Sequence, residues 1–307
     1  MIDEAMHPRT RILKPIAEAI TTERFRRYVV RRDRQDRACQ QRLGLDTFVA
    51  DWDRLMQAPP APNPPARTIW MLWLQGETEA PALVRACIES WRVRNPSWTV
   101  RVLDAESLVN TIALPRFPSH ISPSHKADII RLRLLARYGG VWADATTICQ
   151  RPLDEWIDVT TPRGFFAFTR PQPLRSVANW FIAAHTDAPL LQAWLAWSET
   201  YMLSRRPARS YFWQHHTFDW LLARDPERQR EWDETPKISA RGPHVLQRLL
   251  DGHLSAQARP TAEQLASLPL FKLNRRKGYT LTDTRRIFLD YGLEPVDVSC
   301  ESAPSAP

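Results

Sequence analysis

An amphipathic helical pattern in the middle of the chain runs into two glycines and then into a short apolar segment. The apolar stripe of the predicted helix consists of Ala127, Ile130, Leu134 and Tyr138. Pro123 and Ser124 are suitable residues for its start. Gly139 and Gly140 end it, because glycine readily adopts the left-handed conformation that closes a helix. The apolar residues that follow predict a buried strand with Asp144 at its tip.

From Arg67 to Thr147 the pattern alternates between apolar strands and amphipathic helices. Parallel strands need such crossover helices, so the alternation predicts an α/β fold with an open, mostly parallel sheet of the Rossmann type. In such a sheet, an acid at the carboxyl end of a strand points into the crevice where nucleotides bind. Asp144 has that position.

The flanking segments differ from this alternating region. Residues 1–58 have a helical pattern and form an N-terminal helical region, and a proline-rich linker over residues 59–66 separates it from the main domain, which we place at 67–293. After Arg151 the pattern changes to helices, which we expect to pack over the sheet. Residues 294–307 are expected to form a disordered tail.

The 307 residues are 43% apolar and 25% charged, which is typical of a soluble globular protein. No run approaches the ~20 consecutive apolar residues that cross a bilayer, and the N-terminus lacks the apolar core of a secretion signal. We therefore expect a cytoplasmic protein. The four cysteines are scattered, without the close pairs of a zinc site or the density of a disulfide scaffold.

The net charge of +8 and the pI near 9.7 favour an anionic partner. Arginines cluster near the N-terminus at Arg26, Arg27, Arg31, Arg32, Arg34 and Arg37. No helix-turn-helix, zinc spacing or aromatic RNA-binding signature accompanies this charge, so we do not expect nucleic acid to be the partner. The cluster is either a site for anionic lipid headgroups or a solvated helix face.

Asp128 and Arg131 are three residues apart on the predicted helix and share a face. They either bind a ligand together, the acid accepting from hydroxyls and the arginine donating to them, or form a surface ion pair. The run that contains both, KADIIRLRLLARYGGVWAD, resembles the DXD-type glycosyltransferases of the capsular polysaccharide synthesis group. That group is related to the initiating mannosyltransferases and the glucosylating toxins. The resemblance implies a GT-A-like fold with flanking helices.

The resemblance extends over roughly residues 67–280. Ile69–Gly76 is similar to the family's first strand, Pro81–Asn95 to its first helix, and the WTVRVLD segment to its second strand. Weaker similarities follow at NWFIAA, at YFWQHHTF, at the Gly242-Pro243 pair and at the FKL segment.

The resemblance implies a role for several of these residues. Trp73 would stack on the nucleotide base, although its position alone fits a core tryptophan equally well. Asp128 and Arg131 would hold hydroxyls of the donor sugar, and Asp144 would meet the ribose and a cation. Asn179 would approach the reacting centre.

Later polar residues have weaker assignments. His215 or His216 would lie near the acceptor or the diphosphate, with packing as the alternative. Lys272 and Lys277 would offset the charge of the diphosphate from a loop that folds over the donor, with solvated lysines as the alternative.

The family pattern places a second acid two residues after Asp144, where this chain has Thr146. In the family that acid is usually the direct ligand of a divalent cation, Mn²⁺ or Mg²⁺, and a threonine hydroxyl is a much poorer ligand for a hard cation. Asp144 and Thr146 are the candidate metal ligands. Either Asp144 holds the cation with donor oxygens and water, or arginine and lysine side chains meet the charge instead.

These observations predict an enzyme, a glycosyltransferase of the hexosyltransferase type that moves a sugar from a nucleotide-sugar donor to a hydroxyl of a glycan or lipid-linked acceptor. The resemblance implies retention of the anomeric configuration and a role in capsule or other surface polysaccharide synthesis. It also favours peripheral contact with anionic lipid at the inner face of the cell membrane. Two alternatives stay open: a catalytically silent nucleotide-sugar or glycan binding protein of the same fold, and a basic nucleic-acid-binding protein.

Overall fold

The computed structural model describes residues 23–35, 45–119, 121–202, 210–252, 254–255 and 258–295. The helices in these ranges are α1 (23–35), α2 (Leu45–Met56), α3 (Ala82–Arg94), α4 (Ala105–Thr111), α5 (Pro123–Tyr138), α6 (Ile157–Thr160), α7 (Pro189–Met202), α8 (Trp213–Leu222), α9 (Pro226–Glu234), α10 (Val245–Leu250), α11 (Ala262–Ser267) and α12 (Leu281–Asp290). The strands are β1 (Thr68–Leu72), β2 (Thr99–Leu103), β3 (Gly140–Ala143), β4 (Thr147–Cys149), β5 (Phe165–Gln172), β6 (Arg175–Ala184) and β7 (Leu270–Lys272).

The helix and strand predicted in the middle of the chain are α5 and β3. Ser122 caps α5 by accepting a hydrogen bond from the backbone N–H of His125. Gly139 ends the helix with a φ of 65°. At Gly140 a Cβ would lie 2.4 Å from the carbonyl oxygen of Thr68, so only glycine lets β3 approach β1 this closely.

The central sheet has five strands in the order β2-β1-β3-β6-β5. β1 pairs parallel with β2 and with β3, whereas β6 pairs antiparallel with β3 and with β5. Four of the five strands therefore run in one direction, and the predicted α/β fold with a mostly parallel sheet is confirmed.

Side chains alternate between the two faces of this sheet, and both faces are covered. Ile69 and Met71 of β1 belong to one apolar cluster with residues of α2 and α3, whereas Trp70 belongs to another with residues of α5, α7 and α8. The indole Nε1 of Trp70 donates to the carbonyl of Gly139 at 3.0 Å. The sheet thus forms the middle layer between two apolar clusters.

The prediction that only helices follow Arg151 is wrong. The chain first returns to the central sheet as β5 and β6, and helices follow from α7 onward. Nine of the ten residues of β6 are buried, so this strand has apolar neighbours on both faces. Such a strand lacks the alternation of polar and apolar residues that marks a half-buried strand.

A second, two-stranded sheet pairs β4 antiparallel with β7, with Thr147 opposite Lys272. The backbone N–H of Lys272 also donates to the carbonyl of Pro243 at 2.7 Å. The preceding residue, Gly242, lies against the ring of Phe48 in α2, where a Cβ would be 2.5 Å from Cδ2. Helix α2 therefore supports the turn that fixes β7.

The described N-terminal residues are helical, as α1 and α2, and both pack against the main domain. Buried residues of α2 share the apolar cluster under the sheet, and Phe25 of α1 contacts aromatic rings of α7 and α8. No described helix combines the length and the apolar character needed to span a membrane. The predicted tail at 294–307 lies outside the described residues from residue 296 onward.

The arginine cluster at the N-terminus splits between two environments. Arg26 is buried with its guanidinium 5.6 Å from the ring centroid of Tyr201, and Arg32 donates to the carbonyl of Leu174 at 2.9 Å. The arginines of the cluster that are exposed on α1 are Arg27, Arg31 and Arg34. Arg37 lies outside the described residues.

Candidate active site

A cavity of about 690 Å³ opens where β1 and β3 end. The residues predicted from the sequence that line it are Trp73, Asp128, Arg131, Asp144, Thr146, Asn179, His215 and Lys272. Because β1 and β3 are parallel, their carboxyl ends meet at the same edge of the sheet, which is where ligands bind in such folds. The fold thus brings residues from distant parts of the chain into one space.

Arg131 is the central residue of this cavity. Its Nη2 lies 3.2 Å from Oδ1 of Asp128 and 3.6 Å from Oδ1 of Asp144. Nη1 donates to the backbone carbonyl of Asn179 at 2.5 Å, and the guanidinium lies 5.2 Å from the ring centroid of Trp142. Asp128 and Arg131 are only 7% and 5% exposed, so the interpretation as a surface ion pair is wrong.

We call Asp128, Arg131, Asn179 and Gln214 the α5 cluster. Asn179 Nδ2 donates to Oδ1 of Asp128 at 3.1 Å and to Oε1 of Gln214 at 2.7 Å. Gln214 Nε2 donates in turn to the backbone carbonyl of Asp128 at 2.5 Å. Burial raises the pKa of Asp128 to about 7, although the nearby guanidinium of Arg131 opposes the shift.

Asp144, Thr146 and Lys272 form a second group, which we call the strand-edge cluster. Lys272 Nζ donates to Oδ2 of Asp144 at 2.9 Å and to Oγ1 of Thr146 at 2.6 Å. Oδ1 of Asp144 accepts from the indole Nε1 of Trp142 at 3.0 Å. Burial raises the pKa of Asp144, but the charges of Lys272 and Arg131 outweigh burial and hold this pKa below its usual value.

The donor set of the strand-edge cluster does not suit a divalent cation. Hard cations such as Mg²⁺ and Mn²⁺ prefer several oxygen ligands, carboxylates above all. Oδ2 of Asp144 and Oγ1 of Thr146 both accept from the ammonium of Lys272. Among the described residues, no three histidine, cysteine, aspartate or glutamate side chains gather in a way that could hold a metal ion. The residues present fit an ammonium better than a metal.

Trp73 directly follows β1 at the rim of the cavity. Its backbone N–H donates to the carbonyl of Leu103 at 2.8 Å, and the guanidinium of Arg275 lies 6.0 Å from its ring centroid. The side chain is half-buried and packs in part against the apolar core. Trp73 therefore combines core packing with a face toward the cavity.

The two histidines of the YFWQHHTF run have different surroundings. His215 lines the cavity and is 7% exposed, and burial, with help from the charge of Arg175, lowers its pKa well below the usual value. This imidazole is therefore neutral at pH 7. His216 is fully buried, 4.0 Å from Oδ1 of Asp33, and is not one of the described residues that line the cavity.

Basic side chains outnumber acidic ones in the described lining of the cavity. The cationic residues are Arg131, Arg175, Arg241, Arg248, Lys272, Arg275 and Arg276. The carboxylates are Asp128, Asp144 and Asp251. Lys277 is not in this lining and lies 3.3 Å from Asp251. The cavity is electropositive, which favours a polyanionic ligand.

Sequence reasoning missed several of these residues. Gln214 lies inside the YFWQHHTF run, where a buried amide among aromatic residues was an available signal. Arg275 and Arg276 come two and three residues after the FKL segment and could have been included with Lys272. Arg175 begins β6, a strand that the pattern did not predict, so no signal pointed to it.

The profile of the capsular polysaccharide synthesis protein family matches residues 46–291 of this chain. An O-glycosyltransferase, braB, of Annulohypoxylon truncatum is 30% identical in an alignment of 152 residues that covers 42% of this chain and 36% of that protein. A glycosyltransferase, afumC, of Aspergillus fumigatus is 33% identical in an alignment of 158 residues that covers 44% of this chain and 40% of that protein. The match thus spans well under half the length of these curated relatives.

A solved structure, the PaToxG glycosyltransferase, aligns with a TM-score of 0.38 at 15% identity. The alignment covers 81% of this chain and 95% of that chain.

Proposed function

We propose that this chain, which belongs to the capsular polysaccharide synthesis protein family, transfers a sugar from a nucleoside diphosphate donor to a hydroxyl of a glycan or lipid-linked acceptor. The observation that carries the proposal is the cavity at the edge of the sheet. It joins an aromatic ring, Trp73, to a buried acid and guanidinium pair and to a carboxylate at a strand tip, Asp144.

In this proposal each part of the donor meets a different part of the cavity. The base stacks on Trp73, whose ring already lies beside the guanidinium of Arg275. The sugar hydroxyls bind Asp128, Arg131 and Asn179 of the α5 cluster. The ribose lies near Asp144, and the diphosphate lies among the basic side chains of the rim.

The reaction needs little covalent chemistry from the protein. The bond between the anomeric carbon and the diphosphate oxygen breaks, and its electron pair stays on that oxygen. The acceptor oxygen bonds to the anomeric carbon, and the hydroxyl proton passes to the departing diphosphate. The basic side chains stabilise the charge that develops on the leaving group. We also propose that the transferred sugar is a hexose and that its anomeric configuration is retained. With retention, the acceptor attacks from the side of the leaving group and can give its proton directly to the diphosphate.

The acceptor and its location are part of the same proposal. The relative braB is named an O-glycosyltransferase, which supports a hydroxyl as the acceptor group. The exposed arginines of α1, Arg27, Arg31 and Arg34, would hold the protein against anionic lipid at the inner face of the cell membrane, where capsule or other surface polysaccharide is assembled.

A thermal-shift screen of UDP-, GDP-, CMP- and dTDP-sugars would test the proposal, followed by an assay of transfer and hydrolysis with the sugar that binds. A ligand that binds only the folded chain raises its melting temperature. We expect Asp144→Asn to lower turnover at least about a hundredfold, because the neutral amide no longer pairs with the ammonium of Lys272 beside the leaving diphosphate. Asp290→Asn, on the exposed end of α12, is the matched control.

The outcome separates an enzyme from its silent alternative. Donor binding together with turnover that depends on Asp144 supports the proposal. Binding without turnover of any donor, with both glycan and lipid-linked acceptors present, would identify a nucleotide-sugar binding protein. No thermal shift from any nucleotide sugar, with steep salt-dependent retention on DNA, would favour a nucleic-acid-binding protein instead.

A further inference from the structure

We propose that the ammonium of Lys272 takes the place of a divalent cation, so that this chain binds the diphosphate of its donor without metal. The inference rests on the proposed function for the identity of the ligand as a nucleoside diphosphate. It concerns the strand-edge cluster of Asp144, Thr146 and Lys272.

The position of the ammonium is the first argument. Nζ of Lys272 lies between Oδ2 of Asp144, at 2.9 Å, and Oγ1 of Thr146, at 2.6 Å. These are the two side chains whose spacing matches the metal-binding pattern of the family. The lysine side chain is 12% exposed and that of Asp144 is 26% exposed, so water screens this ion pair only in part.

The backbone fixes Lys272 in this place, which is the second argument. β7 pairs with β4 directly after the Asp144–Thr146 segment, and the N–H of Leu273 donates to the carbonyl of Thr146 at 2.9 Å. The N–H of Lys272 is held by the carbonyl of Pro243 at 2.7 Å. The side chain therefore leaves a paired strand from a defined register, unlike a lysine on a free loop.

The chemistry of residue 146 is the third argument. The carboxylate of Asp144 already balances the charge of the ammonium. A second carboxylate at position 146 would make the cluster net negative, whereas the neutral hydroxyl of Thr146 accepts a hydrogen bond and adds no negative charge. An ammonium has three N–H donors, and Asp144 and Thr146 take two of them. The third donor is suitable for a phosphate oxygen in the cavity.

The surrounding charge is the fourth argument. Seven cationic side chains against three carboxylates line the described part of the cavity. Arg275 and Arg276 come three and four residues after the end of β7 and lie in the same lining as Lys272. A diphosphate thus meets positive charge from the protein itself, and a metal ion at Asp144 would first have to displace the ammonium.

The direct test is binding of UDP, GDP and inorganic pyrophosphate to the full chain, followed by calorimetry, once with EDTA and once with MnCl₂. We expect at least one of the three to bind with EDTA, with an affinity that manganese does not improve. Binding that requires manganese, or no binding of any of the three with EDTA, would overturn the inference. This comparison needs no variant and so does not depend on the folding of one.

Variants of Lys272 sharpen the test. Lys272→Ala should weaken binding with EDTA about tenfold or more, because a charge-assisted hydrogen bond to phosphate is lost. Lys272→Arg should recover part of this loss. Lys126→Ala, on the first turns of α5, is the matched control and should bind as the natural chain does. An unchanged affinity in a folded Lys272→Ala variant contradicts the inference.

Replacing the ammonium of Lys272 by a second carboxylate should create a metal site. In the double variant Thr146→Asp, Lys272→Ala, two carboxylates replace the ammonium site, and we expect this variant to bind Mn²⁺, seen as loss of the electron paramagnetic resonance signal of the free ion. The natural chain should leave that signal unchanged. Manganese binding by the natural chain at this site would count against the inference.

The inference and the proposed function can fail separately. Metal-free binding of a nucleoside diphosphate that depends on Lys272, without transfer of any sugar, would support the inference and contradict the proposed enzymatic function. Sugar transfer that stops on addition of EDTA would support the proposed enzymatic function and contradict the inference.

Discussion

Asp128 of the α5 cluster and Asp144 of the strand-edge cluster share one guanidinium, yet their ionisation differs. Arg131 lies 3.2 Å from one carboxyl and 3.6 Å from the other. The pKa of Asp128 is raised to about 7 by burial, whereas that of Asp144 is lowered although burial opposes the change. The second cation, Lys272, makes the difference. A shared arginine alone does not keep a buried carboxyl charged.

This difference suggests a division of work in the cavity. A carboxyl with a pKa of about 7 is present in both protonation states near neutral pH, so Asp128 could either donate to a hydroxyl of the proposed sugar or accept from one. Asp144 stays anionic and holds the ammonium that we propose to face the diphosphate. Each prediction below perturbs one side of this comparison or both.

Removal of Arg131 should have the largest effect, because it removes the cation common to both clusters. Arg131→Met leaves Asp128 without its charged partner in a buried site, and we expect the free energy of unfolding to fall by about 3–5 kcal/mol. Arg133→Met, two residues along α5, breaks a more exposed ion pair with Glu199 and should cost about 1 kcal/mol or less.

Urea unfolding of both arginine variants, followed by circular dichroism, would measure these values. Equal stability of the two variants would mean that Arg131 carries no special structural role, and the comparison of the two carboxyls would lose its basis.

The pH dependence of stability should separate the two carboxyls. The raised pKa of Asp128 means that the folded chain binds this proton more tightly than the unfolded chain, so its contribution is present at low pH and is lost as pH rises from about 4 to about 7. The lowered pKa of Asp144 acts in the opposite direction. Its contribution to stability is lost as the pH falls below the usual pKa of an aspartate side chain.

Asp128→Asn removes the contribution of the Asp128 carboxyl to the pH dependence of stability. Relative to the natural chain, this variant should gain stability as the pH rises from 4 to 7, by about 3 kcal/mol. Urea unfolding at a series of pH values gives the difference directly. A difference that stays constant across this range would show that Asp128 is ionised throughout, like Asp144.

The sequence pattern located the main elements that position both clusters. The apolar stripe, the glycine pair and the apolar run predicted α5 and β3, because an amphipathic helix and its stop signals are local properties of the chain. The same local pattern placed Asp144 at a strand tip and Asp128 with Arg131 on one helix face. Their burial was not apparent, because helices α7 and α8 that cover α5 come much later in the chain.

The local sequence pattern could not predict contacts between residues that are far apart in the chain. Lys272 meets Asp144 across 128 residues, and only the pairing of β4 with β7 brings them together. Gln214 reaches Asn179 because α8 packs on β6, a strand that has no alternation to reveal it. The sequence could name Lys272 and Asn179 through a family resemblance, but it could not give their partners.

Gln214→Leu should have the smallest effect and should distinguish the two clusters by ligand. The change removes the amide that receives a hydrogen bond from Asn179 at 2.7 Å and donates to the carbonyl of Asp128 at 2.5 Å. Asn179 is then held less firmly toward Asp128, so the affinity for the nucleotide sugar should fall about tenfold, as for one lost hydrogen bond in a buried network.

The affinity for the nucleoside diphosphate alone should stay unchanged in Gln214→Leu, because the strand-edge cluster has no contact with Gln214. Calorimetric titration of the variant with both ligands gives the ratio, and Gln192→Leu, at an exposed position of α7, is the control. If the two affinities fell together, the sugar and the diphosphate would be bound by one cooperative network. The division between a cluster for the sugar and a cluster for the diphosphate would then be wrong.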